Sequence, residues 1–419
     1  MNFNGTLPNG VELYCCLNPE LPEFCLSLLV RRGAIHEPRA QHGLTHFLEH
    51  AIFRSISERM GRALYPTLTR LGLTFDASTY SACVRFTVSG PSAQAETGLE
   101  LLMMAMEPLC LPLDALNLER RRVQAEIREE SEDDADTFAH TRVWKGTAMA
   151  RSIAGTAGSV NRIGLESLAA EQARWFVAGG FCFCATGGMD EAALIGRLGG
   201  LRVAPGEPAT PNAPVPEAFF RRDADVAVED ASYTWLRFCA DVDTAHASPL
   251  ALTLLTEALG SDYGRFYLAL SEDTGLTYAV NDYFERCANI GNYYFDFETE
   301  RTRVPEAVDA AVAMLNGLKH APDDFFEDVK KGFIRREACL EGDAERFNSA
   351  WLYDNGRWRC GFQSRRQRED AYAAVPPEEL RRLARAVFVP DNLLLCVRGR
   401  KRSLQVEDLR ERLRRLAEE

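Results

Sequence analysis

A chain of 419 residues with 46% hydrophobic and 26% charged residues has the composition of a globular protein, long enough for two or three domains. Its net charge of −13 and isoelectric point near 5.2 exclude the usual electrostatics of a nucleic-acid or anionic-membrane binder. No stretch approaches the roughly 20 apolar residues of a membrane span. The opening Met-Asn-Phe-Asn-Gly-Thr also lacks the basic region and apolar core of a secretory signal.

In chain order, Gly10 to Cys16 and Glu23 to Arg32 are β-rich and read as strands. A helix is expected from Gly43 to Ile56, and the alternating Ala82 to Ser89 reads as a strand. Ala93 to Ala105 and Asp114 to Glu130 read as helices, and Phe181 to Ala185 as a strand after a helical stretch ending near Phe176. Arg202 to Pro216 holds five prolines in fifteen residues, which continue neither a helix nor a central strand. This linker separates an N-terminal domain, 1–201, from a C-terminal domain, 217–419.

The second half repeats the order of the first. Tyr233 to Cys239 is strand-like, Pro249 to Leu259 and Tyr263 to Leu270 are helical, and Tyr293 to Thr299 is a strand. Helices over Pro305 to Leu318 and Asp323 to Glu341 precede a closing strand, Asn392 to Arg398. Neighbouring strands are close enough for hairpins, so the pattern predicts an α+β fold, two similar domains each with an antiparallel-rich sheet packed with helices.

Twelve cysteines include no C-x-x-C pair, and several lie in apolar strand-like runs. Buried thiols in a reducing compartment are expected, hence a cytoplasmic protein. The acidic run Glu126 to Asp136 reads as a solvated helix end, or as a wall favouring basic peptides.

The expected helix at Gly43 carries His46-Phe47-Leu48-Glu49-His50. At about 100° per residue, His46, Glu49 and His50 share one stripe, while Leu44, Phe47, Leu48, Ala51 and Ile52 gather opposite. Two imidazoles one turn apart can ligate Zn²⁺, and the carboxylate between them can take a proton from water. H-x-x-E-H inverts the zinc-peptidase H-E-x-x-H pattern. Read alone, the pentapeptide also fits a solvated polar helix face. A tetrahedral site needs a third protein ligand. Glu119 and Glu126, seven apart, share a helix face, so one could ligate while the other orients a histidine. Spacing alone leaves Glu126 one of several equal candidates among 61 acidic residues.

These residues resemble the pitrilysin and insulinase group of zinc peptidases, family M16, in the branch that includes the mitochondrial processing peptidase. That family places a glutamate about 76 residues after the second histidine, which here is Glu126, with its auxiliary glutamate at Glu119. Arg32-Gly33-Ala34, Glu37-Pro38 and Gly43-Leu44 resemble the stretch before the motif helix. Asp76-Ala77-Ser78-Thr79 resembles its Asn-Ala-x-Thr edge strand. Arg151-x-Ile153-x-Gly155-Thr156 resembles the loop after the third ligand, and Gly275-Leu276-Thr277-Tyr278 the C-terminal Gly-Leu-x-Tyr. The resemblance implies peptide hydrolysis with Zn²⁺ held by His46, His50 and Glu126, and Glu49 as the base. It also implies an extended peptide bound by β-augmentation along Asp76, Ala77, Ser78 and Thr79. Without the resemblance, that stretch reads as an ordinary edge strand.

One departure stands out. The family's Arg-Glu-x-x-Gly-Leu-x-Tyr, whose Arg and Tyr stabilise the developing oxyanion, is here Ser271-Glu272-Asp273-Thr274-Gly275-Leu276-Thr277-Tyr278. Arg265 is a different position. The expectation is a heterodimer whose partner supplies the Arg/Tyr pair, as in the bacterial peptidases of this family that process ribosomally made precursor peptides. A weakly active homodimer is the alternative. In either, a closed chamber limits substrates to short or unfolded peptides. Rival readings are a non-catalytic scaffold subunit and a peptide-binding chaperone with structural zinc.

Overall fold

Strands β1 (Asn4–Thr6), β2 (Glu12–Leu17), β3 (Glu23–Val30), β4 (Thr74–Thr79), β5 (Val84–Pro91) and β6 (Phe181–Gly187) form one sheet, in the order β1-β2-β6-β3-β5-β4. The computed structural model describes residues 2–130, 135–206, 223–260, 264–287 and 289–417. Of the expected linker, 207–216 lie outside the described residues, as do 131–134 of the acidic run and 261–263 at the head of one expected helix. Helices α1 (Leu44–Arg59), α2 (Leu64–Leu71), α3 (Ala95–Met104), α4 (Leu113–Glu130), α5 (Ala135–Val143), α6 (Ala157–Arg162), α7 (Leu165–Trp175) and α8 (Glu191–Gly199) complete the first half.

The second half contributes β7 (Asp225–Asp230), β8 (Trp235–Asp243), β9 (Asn281–Cys287), β10 (Ile290–Glu298) and β11 (Leu393–Gly399), ordered β7-β11-β8-β10-β9. Its helices are α9 (Pro249–Gly260), α10 (Val304–Lys319), α11 (Asp323–Cys339), α12 (Ala344–Trp351), α13 (Arg365–Ala373), α14 (Pro377–Val387) and α15 (Val406–Arg414). Replacing β2 to β6 by β7 to β11 in chain order turns one sheet order into the other, β1 being extra. Each sheet has one parallel pair, β2 with β6 and β7 with β11, and is otherwise antiparallel. The fold is therefore α+β with two homologous domains.

Two compact units emerge. One holds the described residues of 1–133, 151–212 and 337–368; the other holds those of 134–150, 213–336 and 369–419. Each unit thus includes a segment from the opposite half of the sequence. In the first unit, alternation along β3 sends Phe24, Leu26, Leu28 and Val30 into the main apolar core. Ser27, on the other face, donates its hydroxyl to Asn348 Oδ1 of α12 at 2.6 Å. Asn348 is fully buried, and its amide donates to the carbonyls of Cys25 and Cys184. In the second unit, Leu236, Phe238, Ala240 and Val242 of β8 enter the core. Arg237 points to the other face, pairs with Asp296 and Asp136, and lies 4.0 Å from the Tyr294 ring centre. No disulfide joins any of the twelve cysteines. No described helix is long and apolar enough to cross a membrane.

Candidate active site

α1 begins without a side-chain cap of its own. Its N-cap, Gly43, has φ +88°, a left-handed conformation that favours glycine, and a Cβ there would sit 2.6 Å from the Ala154 carbonyl oxygen. The orphan N–H groups of the first turn are met from upstream. Gly43 and Thr45 donate backbone N–H to Glu37 Oε2 and Oε1 at 2.8 and 2.6 Å. Leu44, Phe47, Leu48, Ala51 and Ile52 bury the apolar side of the helix. His46, Glu49 and His50 are left on the stripe beside α4.

α4 brings two glutamates to that stripe. His46 Nε2 lies 3.3 Å from Glu126 Oε1, and His50 Nε2 lies 3.3 Å from Glu126 Oε2. The donor atoms of His46, His50 and Glu126 all fall within 4.8 Å of one another. Zinc–ligand bonds of about 2.0–2.1 Å at a tetrahedral angle set neighbouring donors about 3.3 Å apart. The donor set, two imidazoles and a carboxylate, suits that ion, and the two His–Glu126 distances match its spacing. Glu119 is buried, 3.8 Å from His50 Nδ1, 3.1 Å from Arg122 Nη1 and 3.9 Å from Arg54 Nε.

The charges compensate one another. Burial opposes a charge on His50, but Glu119, Glu126 and Glu49 outweigh it and push the imidazole up to about 9. Hydrogen bonds from His46 and His50 hold the Glu126 carboxyl far below the ordinary carboxylate range. Burial works against Glu119 too, yet His50 and Arg122 keep its carboxyl below the usual value. A cation at this place would replace a proton on His50 as the partner of these carboxylates.

β4 is an edge strand, as expected for Asp76, Ala77, Ser78 and Thr79. Its alternation divides those four. Ala77 packs against the core, and the Thr79 hydroxyl donates to Glu49 Oε2 at 2.6 Å; Asp76 and Ser78 take the other face. Tyr278 lies in the second unit at 95% exposure, and the Ser271 hydroxyl donates to the Tyr278 carbonyl at 3.5 Å. Three features escaped the sequence reading: the Glu37 cap, the Thr79–Glu49 hydrogen bond, and Arg54 and Arg122 flanking Glu119. Only Arg122 carried a signal, its i, i+3 spacing from Glu119 on one helix.

Comparison with known proteins agrees with this construction. The family description "Insulinase (Peptidase family M16)" matches residues 18–157, and "Peptidase M16 inactive domain" matches 162–333. The chain is 22% identical over 193 residues to the mitochondrial-processing peptidase subunit beta of Lentinula edodes, covering 45% of this chain and 41% of that one. It is 22% identical over 177 residues to cytochrome b-c1 complex subunit 1 of Bos taurus, covering 42% of this chain and 37% of that protein. The matched stretch thus spans well under two thirds of either relative. A solved structure from Pseudomonas fluorescens, titled as a peptidase M16 inactive domain, superposes with a TM-score of 0.79 at 18% identity, covering 95% of this chain and 97% of that one. α9, the counterpart of α1 in the duplicated topology, contains no histidine. With adjoining family descriptions on both halves and the same fold throughout, this chain belongs to peptidase family M16.

Proposed function

We propose that this chain is the zinc-bearing subunit of an endopeptidase that cleaves short or unfolded peptides. The observation that carries the reading is the convergence of His46 Nε2, His50 Nε2 and both Glu126 oxygens at 3.3 Å, on the stripe that also holds Glu49. His46, His50 and Glu126 would hold Zn²⁺. The ion supplies Lewis acidity, which brings the pKa of a water towards neutrality and polarises an amide carbonyl. Glu49 accepts the proton of the attacking water on a carboxylate oxygen and returns it to the leaving amine. Glu119 faces His50 Nδ1 and holds that ring in orientation. The free edge of β4 pairs with an extended peptide through backbone hydrogen bonds, which select an unfolded chain over a folded one.

The substrate class proposed is a precursor or leader peptide of a ribosomally made product. The processing-peptidase name of the fungal relative supports this class. Ser271, standing where the family has arginine, supports an M16 partner subunit that supplies the Arg/Tyr pair, with a homodimer as the alternative. Tyr278 stays in the proposal as the remaining member of that pair. Twelve cysteines with no disulfide among them support a cytoplasmic location. The bovine relative, a subunit of the cytochrome b-c1 complex, supports a second reading as a non-catalytic scaffold.

Metal analysis separates the two. Protein purified with zinc present is expected to hold one ion per chain, and His50→Ala and Glu126→Gln to lose most of it, by roughly tenfold or more in affinity. A wild-type chain that holds no zinc would overturn the peptidase reading and leave the scaffold.

A further inference from the structure

Glu49 is 9% exposed, and a buried base needs something to hold it still. The Thr79 hydroxyl does so, donating to Oε2 at 2.6 Å. That hydroxyl is on a strand, not on the helix that carries the base. Strand alternation puts Phe75, Ala77 and Thr79 on the face towards α1. Phe53 of α1, one turn beyond Glu49, packs on Phe75 with ring centres 4.7 Å apart. Helix and strand therefore meet twice, by rings at one place and by a hydrogen bond at the other.

Both elements are tied to the same short segment. The turn after β4 is closed by Tyr80 N–H donating to Cys83 at 2.8 Å. It is fastened by Ala34 and Ile35 N–H, which donate to the carbonyls of Tyr80 and Ser81 at 3.2 and 2.9 Å. Glu37, just beyond, receives the first N–H groups of α1. Segment 33–37 thus fixes the start of the helix and the end of the strand, leaving little freedom for Glu49 to move relative to Thr79.

We propose that Thr79 is a positioning residue: through its hydroxyl, the peptide-binding edge strand holds the Glu49 carboxylate in place for proton transfer. This rests on the peptidase reading above. The hydrogen bond to Oε2 fixes the carboxylate while leaving it acceptor capacity for the water's proton. A peptide paired along β4 is then registered against the base through the strand itself. The role requires the oxygen of Thr79 and not its methyl group, and it gives the side chain a partner other than substrate.

The test compares Thr79→Val, which keeps the shape and removes the hydroxyl, with Thr79→Ser, which keeps the hydroxyl. Zinc-loaded protein is assayed on a quenched unstructured peptide, with metal content measured on the same samples. Thr79→Val is expected to lower kcat roughly tenfold to a hundredfold with KM within about twofold and zinc unchanged, while Thr79→Ser stays within about threefold of wild type. A raised KM at constant kcat, or equal impairment of both variants, would overturn the proposal. A double-mutant cycle on the urea midpoint gives a readout independent of turnover: the shift caused by Thr79→Val is expected to shrink by about half or more in a Glu49→Ala background. An identical shift in both backgrounds means the two residues are not coupled, and the proposal falls. Wild type that holds zinc but cleaves nothing sinks the peptidase reading and this one together; wild type that cleaves beside an unimpaired Thr79→Val sinks this one alone.

Discussion

At the scale of single residues, the site is a set of charges that hold one another in place. The proximity of His46 and His50 was legible because helical spacing is written in the sequence. Glu126 was not, since spacing left it among many carboxylates and only the family distance singled it out. The Thr79–Glu49 and Glu37–α1 contacts were illegible, because each joins residues from different elements. Glu37 also gives a pH prediction. Burial pushes its carboxyl up to about 7, with Glu171 adding repulsion, while the N–H groups of Thr45 and Gly43 pull it down. An acid whose folded-state pKa stands above its unfolded value of about 4.5 favours the fold when protonated, and that contribution is lost as pH rises from about 4.5 to about 7. Glu37→Gln keeps the shape without the titration. In urea unfolding, the stability of wild type relative to Glu37→Gln should therefore fall between pH 5 and pH 8, by on the order of a few kcal/mol. A difference that stays constant or moves the other way would show that the two N–H groups dominate over burial.

At the scale of elements, the strands with two buried faces were the readable ones. β3, β6, β8 and β11 are mostly apolar and buried along nearly their whole length, and such short runs read as interior strands. β7 and β9 are edge strands with polar residues on the open side, and their alternation is weak. The expected helix over 263–270 is a π-helical segment at Tyr267–Glu272. The two exchanged segments had no signature, because a segment's packing partner is not encoded in its own periodicity. Asn348 makes that exchange testable in the first unit. Its amide donates to two carbonyls of β3 and β6 and its Oδ1 accepts from the Ser27 hydroxyl, all in a buried place, so Asn348→Ala deletes these hydrogen bonds and leaves a cavity. The expected cost is about 2–4 kcal/mol in chemical unfolding. A cost below about 0.5 kcal/mol would mean that α12 is not held to the sheet through this residue.

At the scale of the whole molecule, one topology occurs twice, while the cluster of two histidines and a glutamate able to hold a metal occurs once among the described residues. The second unit repeats the strand order with a helix, α9, that has no imidazole, and among the described residues the cluster of His46, His50 and Glu126 lies in the first unit. This duplication was legible as a repeated order of elements, although no sequence repeat marks it. The place of Ser271 predicts dependence on a second chain: adding an M16 partner that has Arg-x₆-Tyr but lacks H-x-x-E-H should raise peptide cleavage by roughly a hundredfold, the worth of an oxyanion donor. Full activity of the isolated chain as a homodimer would contradict that dependence. In the proposed chemistry, Glu49 takes the proton of a water that zinc on His46, His50 and Glu126 would activate. Cleavage of a quenched unstructured peptide by wild type and Glu49→Gln, with zinc content determined on the same samples, decides whether Glu49 is the base. Equal zinc in both and cleavage lower by roughly a hundredfold or more in the variant are expected; equal cleavage at equal zinc would rule out Glu49 as the base.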